Sequence, residues 1–297
     1  MKVLHKRKNQ FFDFGNFEKS QKAIMKTWQD FRAQLAEGQF GYKDIEVAKQ
    51  NSTYLRVLEN LLVEANGLSY FTEKIGDYNN DAVELVRSSI LKPCETPTFS
   101  RFIPDKEYIK KHNRFSPPEV EWLYIALGDK SQTAENGLTV AKNCSIKECN
   151  CKAGDRFGAY RFAFDSQYND LKIVNLTIAA HHSYAELNAE LEKSIQGLRK
   201  KYTSTSQARK QEIERYVLKW STYTYAKLLS EEIFWPVESD NKEYEYAPFQ
   251  TVAQYFITLG FSGIIYSSAV YPKGKNIVLF DKNYAKPCND FFEMIIE

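Results

Sequence analysis

Apolar positions recur at helical spacing through the first hundred residues. Phe17, Ile24, Trp28, Phe31 and Leu35 fall on one face and stop at Gly38, which predicts a helix ending there. Ser52 or Thr53 is placed to cap a second helix carrying Tyr54, Leu55, Leu58, Leu61 and Leu62, closed near Gly67. Val83, Val86 and Ile90 repeat the spacing after Asn80 or Asp81 and stop before Pro93, so a third helix is expected. Three amphipathic helices with short loops make a small bundle. Periodicity breaks at Cys94-Glu95-Thr96-Pro97-Thr98, which sets the expected boundary near residue 100.

Beyond that boundary the pattern alternates. Trp122 to Leu127, Phe157 to Phe164, Leu171 to Ile178, Gly263 to Ser267 and Asn276 to Phe280 read as strands. Pro272-Lys273-Gly274-Lys275 joins the last two as a turn. Between His182 and Glu232, Leu187, Leu191, Ile195 and Leu198 mark a helix face in a segment dense in Lys, Arg and Glu. Its basic stretches, Arg199-Lys200-Lys201 and Arg209-Lys210, are offset by Glu190, Glu192, Glu212 and Glu214. A solvated helical hairpin is expected there, and not a nucleic-acid surface.

Composition narrows the function classes. The 297 residues hold 40 basic and 38 acidic side chains, and a net charge of +2 supplies no global field toward nucleic acid or anionic membrane. No apolar run approaches the ~18 residues of a membrane span. Phe11-Phe12 is too short an apolar core for a signal peptide after the basic Met1 to Gln10. The expected location is therefore the cytoplasm. Five cysteines, an odd number, argue against a disulfide framework. Cys144, Cys149 and Cys151 are close enough to raise a zinc site. The adjacent His181 and His182 would point to opposite faces of a strand, so no metal is expected. Asn-x-Ser/Thr triplets begin at Asn51, Asn143 and Asn175 and have no meaning without secretion.

Chemistry concentrates in a few ordered segments. His112-Asn113-Arg114-Phe115-Ser116-Pro117-Pro118 precedes the strand with Tyr124. Cys144-Ser145-Ile146-Lys147-Glu148 follows, and then Leu171-Lys172-Ile173-Val174-Asn175-Leu176. Later come Glu232-Ile233-Phe234-Trp235-Pro236-Val237, Tyr246-Ala247-Pro248-Phe249-Gln250, and finally Tyr266-Ser267-Ser268 with Asn276. In this order, over residues 105 to 285, the chain resembles the RES domain, named for its Arg, Glu and Ser. The resemblance implies an α+β fold: an ADP-ribosyltransferase-like RES domain at 101–297, with a helical insertion around 184–225. The small helical bundle at 1–100 precedes it as a regulatory, interaction or dimerisation module.

The same resemblance implies an NAD-degrading toxin or defence effector that breaks the nicotinamide–ribose bond. NAD is then substrate rather than cofactor, and inorganic phosphate is a candidate co-substrate. Protein ADP-ribosylation and an inactive protein-binding module are the alternatives. An antitoxin or regulatory protein is the implied partner, with a homo-oligomer left open. Arg114 suits a pyrophosphate clamp, because guanidinium gives bidentate, permanently charged recognition. Tyr124 would stack on nicotinamide or bond the ribose, and Ser268 would bond the ribose or carboxamide. Ser267, Gln250 and Asn276 match further polar positions of the family. The carboxylate that faces the developing ribosyl cation is assigned to Glu148, with Asp129 to Asn143 read as an insertion. Glu135 is the alternative by distance from the tyrosine.

Overall fold

The computed structural model describes residues 17–64, 66–134, 136–202, 206–234 and 241–296. Glu135 and the Trp235-Pro236-Val237 part of the sequence pattern lie outside the described residues, as does the basic Met1 to Gln10 stretch. Helices α1 (Phe17–Ala36), α2 (Ile45–Asn51) and α3 (Thr53–Glu59) come first, followed by strands β1 (Thr72–Lys74), β2 (Val83–Leu91) and β3 (Leu123–Asp129). Helix α4 (Val140–Glu148) and strands β4 (Arg156–Phe164) and β5 (Lys172–Asn175) come next. Helices α5 (Tyr184–Lys201), α6 (Gln207–Phe234) and α7 (Lys242–Thr258) precede β6 (Gly263–Ser267), β7 (Lys275–Leu279) and β8 (Ala285–Ile295). The architecture is mixed α and β. No described helix is long and apolar enough to cross a membrane.

The chain divides into two compact units: one runs up to Phe71 and adds Leu176–Glu232, while the other holds Thr72–Asn175 and Ile233–Glu297. In the first unit α1 forms as its periodicity requires, burying Ile24, Trp28 and Phe31. Ser52 caps α3 by accepting from the Leu55 N–H. The Tyr54 ring stacks on Phe31 at 5.1 Å and meets Tyr225 of α6 at 5.8 Å. Leu187 and Leu191 of α5 pack with Trp220 of α6. The 184–225 stretch therefore belongs to this unit and is not an insertion in the other, and it keeps the solvated charged face that was expected, with Glu190, Glu192 and Arg199 exposed. The expected break at residue 100 gives way to one at Phe71, and the helical unit draws on two separate stretches of chain.

The other unit is an eight-stranded sheet in the order β1-β5-β6-β7-β3-β2-β4-β8. Only β5 and β6 are parallel neighbours; the other pairs are antiparallel. Strand β2 corrects the third expected helix. Val83, Val86 and Ile90 fit a helical repeat equally well, but here Leu85 and Leu91 pack into one face and Val86 into the other. A strand buried on both faces loses its simple alternation, and its pairing with β3 and β4 decides the conformation. The strand expected over Leu171 to Ile178 is shorter, because Leu176–Ala179 turns into a 3₁₀ helix.

One sheet face carries the main core of Leu85, Leu123, Ile125, Leu127, Ile265 and Ile277. Alternation puts Tyr124 and Ala126 of β3, Asn276 and Val278 of β7, and Tyr266 of β6 on the opposite face. Helix α4 packs there through Ala141 against Val86. Gly128 admits it, since a Cβ at that position would come within 3.2 Å of the Ala141 backbone.

Candidate active site

Helix α4 delivers the acidic group. Thr139 caps it by accepting from the Lys142 N–H, and Ala141, Cys144 and Ser145 turn inward. Glu148 stands one turn beyond Cys144, and positions four apart share a helix face. That face meets the β6–β7 hairpin. Ser268 Oγ donates to Glu148 Oε1 at 2.7 Å, and Asn276 Nδ2 donates to the same oxygen. The carboxylate is therefore held at one oxygen by two side chains, while its residue stays exposed to an incoming ligand.

The hairpin is built for this contact. Ser268 N–H donates to Gly274 O at 3.0 Å, and Ser268 Oγ accepts from the Val270 and Tyr271 N–H groups at 3.3 and 3.1 Å. A Cβ at Gly274 would come 2.5 Å from Cys144 Sγ, so the turn needs glycine to lie on α4. The Cys144 thiol donates to Asn276 Oδ1 at 3.5 Å. Burial pushes that thiol up to about 12, so it is a neutral packing and donor group at physiological pH.

The basic group arrives on the loop before β3. Asn113 N–H donates to Ser116 O at 2.8 Å and closes a turn that presents Arg114. Phe115 is fully buried against Tyr266 at 4.9 Å and Phe249 at 6.4 Å. The Arg114 guanidinium lies over the Tyr246 and Phe249 rings of α7, 5.4 Å from each centroid. Burial lowers its pKa, and the nearby Glu148 carboxylate and the phenol oxygens of Tyr246, Tyr266 and Tyr124 oppose the shift. A guanidinium stays protonated under such a shift. Gln250 does not line the same face of the group. It is buried, and its Nε2 donates to Asn113 O at 3.1 Å and contacts His112 Nδ1, bracing the loop from α7.

Two tyrosines complete the floor. Tyr124 shares a 2.9 Å hydrogen bond with Ser116 Oγ, and burial pushes its phenol above the ordinary range. Burial does the same to Tyr266. Both are neutral hydrogen-bonding rings, and both feel the Arg114 charge.

Arg114, Tyr124, Glu148, Ser268 and Asn276 thus converge, although 162 residues separate the first from the last (276 − 114). Ser267 does not join them. It pairs with Lys275 and alternates onto the face of Ile265. Sequence reasoning missed Tyr266, whose signal was its i, i+2 relation to Ser268 along an extended chain. It also missed the Tyr246 and Phe249 pair, whose i, i+3 spacing on a helix was available. Among the described residues no group of three or more His, Cys, Asp or Glu side chains is placed to hold a metal ion.

The RES domain family model matches residues 191–289. That span holds Gln250, Tyr266, Ser268 and Asn276, while Arg114, Tyr124 and Glu148 lie upstream of it. No curated protein matches the chain. A chain in the crystal structure of the M. tuberculosis MbcT–MbcA toxin–antitoxin complex is similar at 10% identity and a TM-score of 0.31. The match covers 80% of this chain and 92% of that one.

Proposed function

We propose that this RES-domain chain degrades NAD by cleaving its nicotinamide–ribose bond and serves as a toxin or defence effector in the cytoplasm. The observation that carries the reading is a carboxylate, Glu148, fixed by Ser268 and Asn276 within electrostatic reach of the Arg114 guanidinium. Cleavage passes through a ribosyl cation, and nicotinamide leaves from an already cationic pyridinium, so the leaving group requires no acid. Arg114 binds the pyrophosphate, with its orientation set by the Tyr246 and Phe249 rings. Glu148 stabilises the positive charge that develops on the ribose, and its two fixed donors leave no reorganisation to the moment of reaction. Tyr124 and Tyr266 offer neutral rings for nicotinamide. Water or inorganic phosphate then attacks the ribose carbon. An antitoxin that covers the Arg114–Glu148 opening would hold the activity in check.

Product analysis tests this. Purified full-length protein is incubated with NAD, with and without phosphate, and the mixture resolved by chromatography. Free nicotinamide is expected, with either ADP-ribose or its phosphorylated form as the second product. Arg114→Ala should weaken NAD binding, because charge-assisted hydrogen bonds worth roughly 1.5–3 kcal/mol each are lost. Intact NAD after incubation with well-folded wild type would refute the reading, and ADP-ribose attached to protein would redirect it to transfer.

A further inference from the structure

Directly after Glu148 the chain reads Cys149-Asn150-Cys151. Cys149 closes α4, with its N–H donating to Ser145 O at 3.2 Å. Asn150 has φ 52°, in the left-handed region, and its N–H donates to Lys147 O, so the link to Cys151 folds back. Two Cα steps bent in this way stay inside the ~4.4–6.8 Å that a disulfide spans. Both cysteines are half-buried free thiols packed on one apolar cluster of Val86, Ala141, Phe157 and Ala159. Their thiols are hydrogen-bond partners of each other. Cys149 Sγ also lies 3.0 Å from Ser88 Oγ, and the Arg87 guanidinium is near enough to favour a thiolate there.

We propose that Cys149 and Cys151 form a reversible oxidation site whose disulfide turns off the Glu148 centre. The consequence for activity rests on the function proposed above; the thiol chemistry does not. The oxidant is a low-molecular-weight disulfide, RSSR. The Cys149 thiolate attacks one of its sulfurs and expels RS⁻. The Cys151 thiolate then attacks the Cys149 sulfur of the mixed disulfide and expels the second RS⁻. The two thiol protons end on the leaving groups, so two cysteine thiols and one RSSR give one protein disulfide and two RSH. Burial raises both thiols, Cys151 to about 11, so the exchange is slow at neutral pH and quickens as pH rises.

Closing the bond draws the two sulfurs to ~2.05 Å and pulls Cys149 Sγ away from Ser88. Cys149 caps the turn that aims Glu148, so the carboxylate loses its register with Ser268 and Asn276. A ring bridging a single residue is strained, and strained disulfides are the easily reduced, regulatory kind.

The test uses the full-length protein in glutathione buffers of graded redox poise. Free thiols are alkylated and peptides analysed by mass spectrometry, while NAD turnover and amide exchange at 145–148 are followed in parallel. A disulfide within 149–151 is expected, with turnover about 100-fold lower from the misplaced carboxylate and full recovery in dithiothreitol. Cys151→Ser should keep the reduced-state turnover and form no 149–151 disulfide, stopping at the mixed disulfide on Cys149, while Cys94→Ser should keep both the turnover and the 149–151 disulfide. Three results overturn the proposal: no such disulfide at the most oxidising poise, pairing of either thiol with a different cysteine, or a 149–151 disulfide that leaves turnover unchanged. Should the reduced wild type never cleave NAD, the functional reading fails by itself. Exchange at 145–148 then decides the site: faster exchange on oxidation supports the coupling, and unchanged exchange refutes it.

Discussion

Replacing Ser268 by Ala removes one oxygen and reaches three interactions. The residue is fully buried at the end of β6, and its hydroxyl accepts from two backbone N–H groups while donating to Glu148. Alanine keeps the Ser268 N–H bond to Gly274 O, so the hairpin itself should survive. The Val270 and Tyr271 amides lose their acceptor. Neutral hydrogen bonds contribute about 0.5–1.5 kcal/mol each, and the 3.3 Å bond of Val270 belongs at the weak end. A combined loss of about 2 kcal/mol corresponds to roughly 30-fold in the local opening equilibrium. Hydrogen exchange read by mass spectrometry over residues 266–276 measures it directly, with the protection loss confined to these amides. Among the described residues Glu148 then keeps Asn276 as its side-chain donor, so NAD turnover should fall at least ~10-fold with little change in affinity. Exchange within about twofold of wild type at both amides, against that expected change, would show that the Ser268 oxygen does not hold the turn.

Glu148→Gln preserves shape and hydrogen bonding but removes the charge, so single-turnover NAD cleavage should drop at least ~100-fold with binding nearly unmoved. Full activity in that variant would transfer the role, first of all to Glu135. Arg87 of β2 donates from Nε to Phe102 O at 2.6 Å and from Nη1 to Tyr124 O at 2.7 Å, where β2 and β3 part. Arg87→Met strands both carbonyls, and urea unfolding should show the sheet destabilised by about 1–3 kcal/mol for each buried orphan. The Cys144 thiol ionises near 9 when unfolded and is pushed up to about 12 by burial. The folded state then binds more protons between those values, so its stability falls as pH rises through that window. Cys144→Ala should remove up to ~1.4 kcal/mol per pH unit of the slope, compared by urea unfolding of both proteins across the window.

Much of the sheet was legible in the chain because its strands are local facts. Gly263 to Ser267 and the strand that follows it carry β-branched residues between turn signals, and they form with nearly the expected bounds. Arg114, Tyr124, Glu148, Ser268 and Asn276 can be read as candidates from the order of their motifs and the family that order resembles, with Arg114 on a loop, Glu148 at the end of α4 and Ser268 just past β6. Tertiary structure decided three other matters. Val83 to Leu91 satisfied two periods at once, and only the partners β3 and β4 chose the strand. The alternation of β6 separated Ser268 from Ser267, because register relative to β7 sets the face each side chain takes. The stretch from Leu176 to Glu232 joined the N-terminal helices, since Tyr54 and Phe31 needed a partner for their apolar face that their own segment did not supply. Sequence by itself fixes what a segment prefers to be. Which surfaces find each other depends on contacts between residues far apart in the chain, and those contacts placed one carboxylate oxygen under two donors from a distant hairpin.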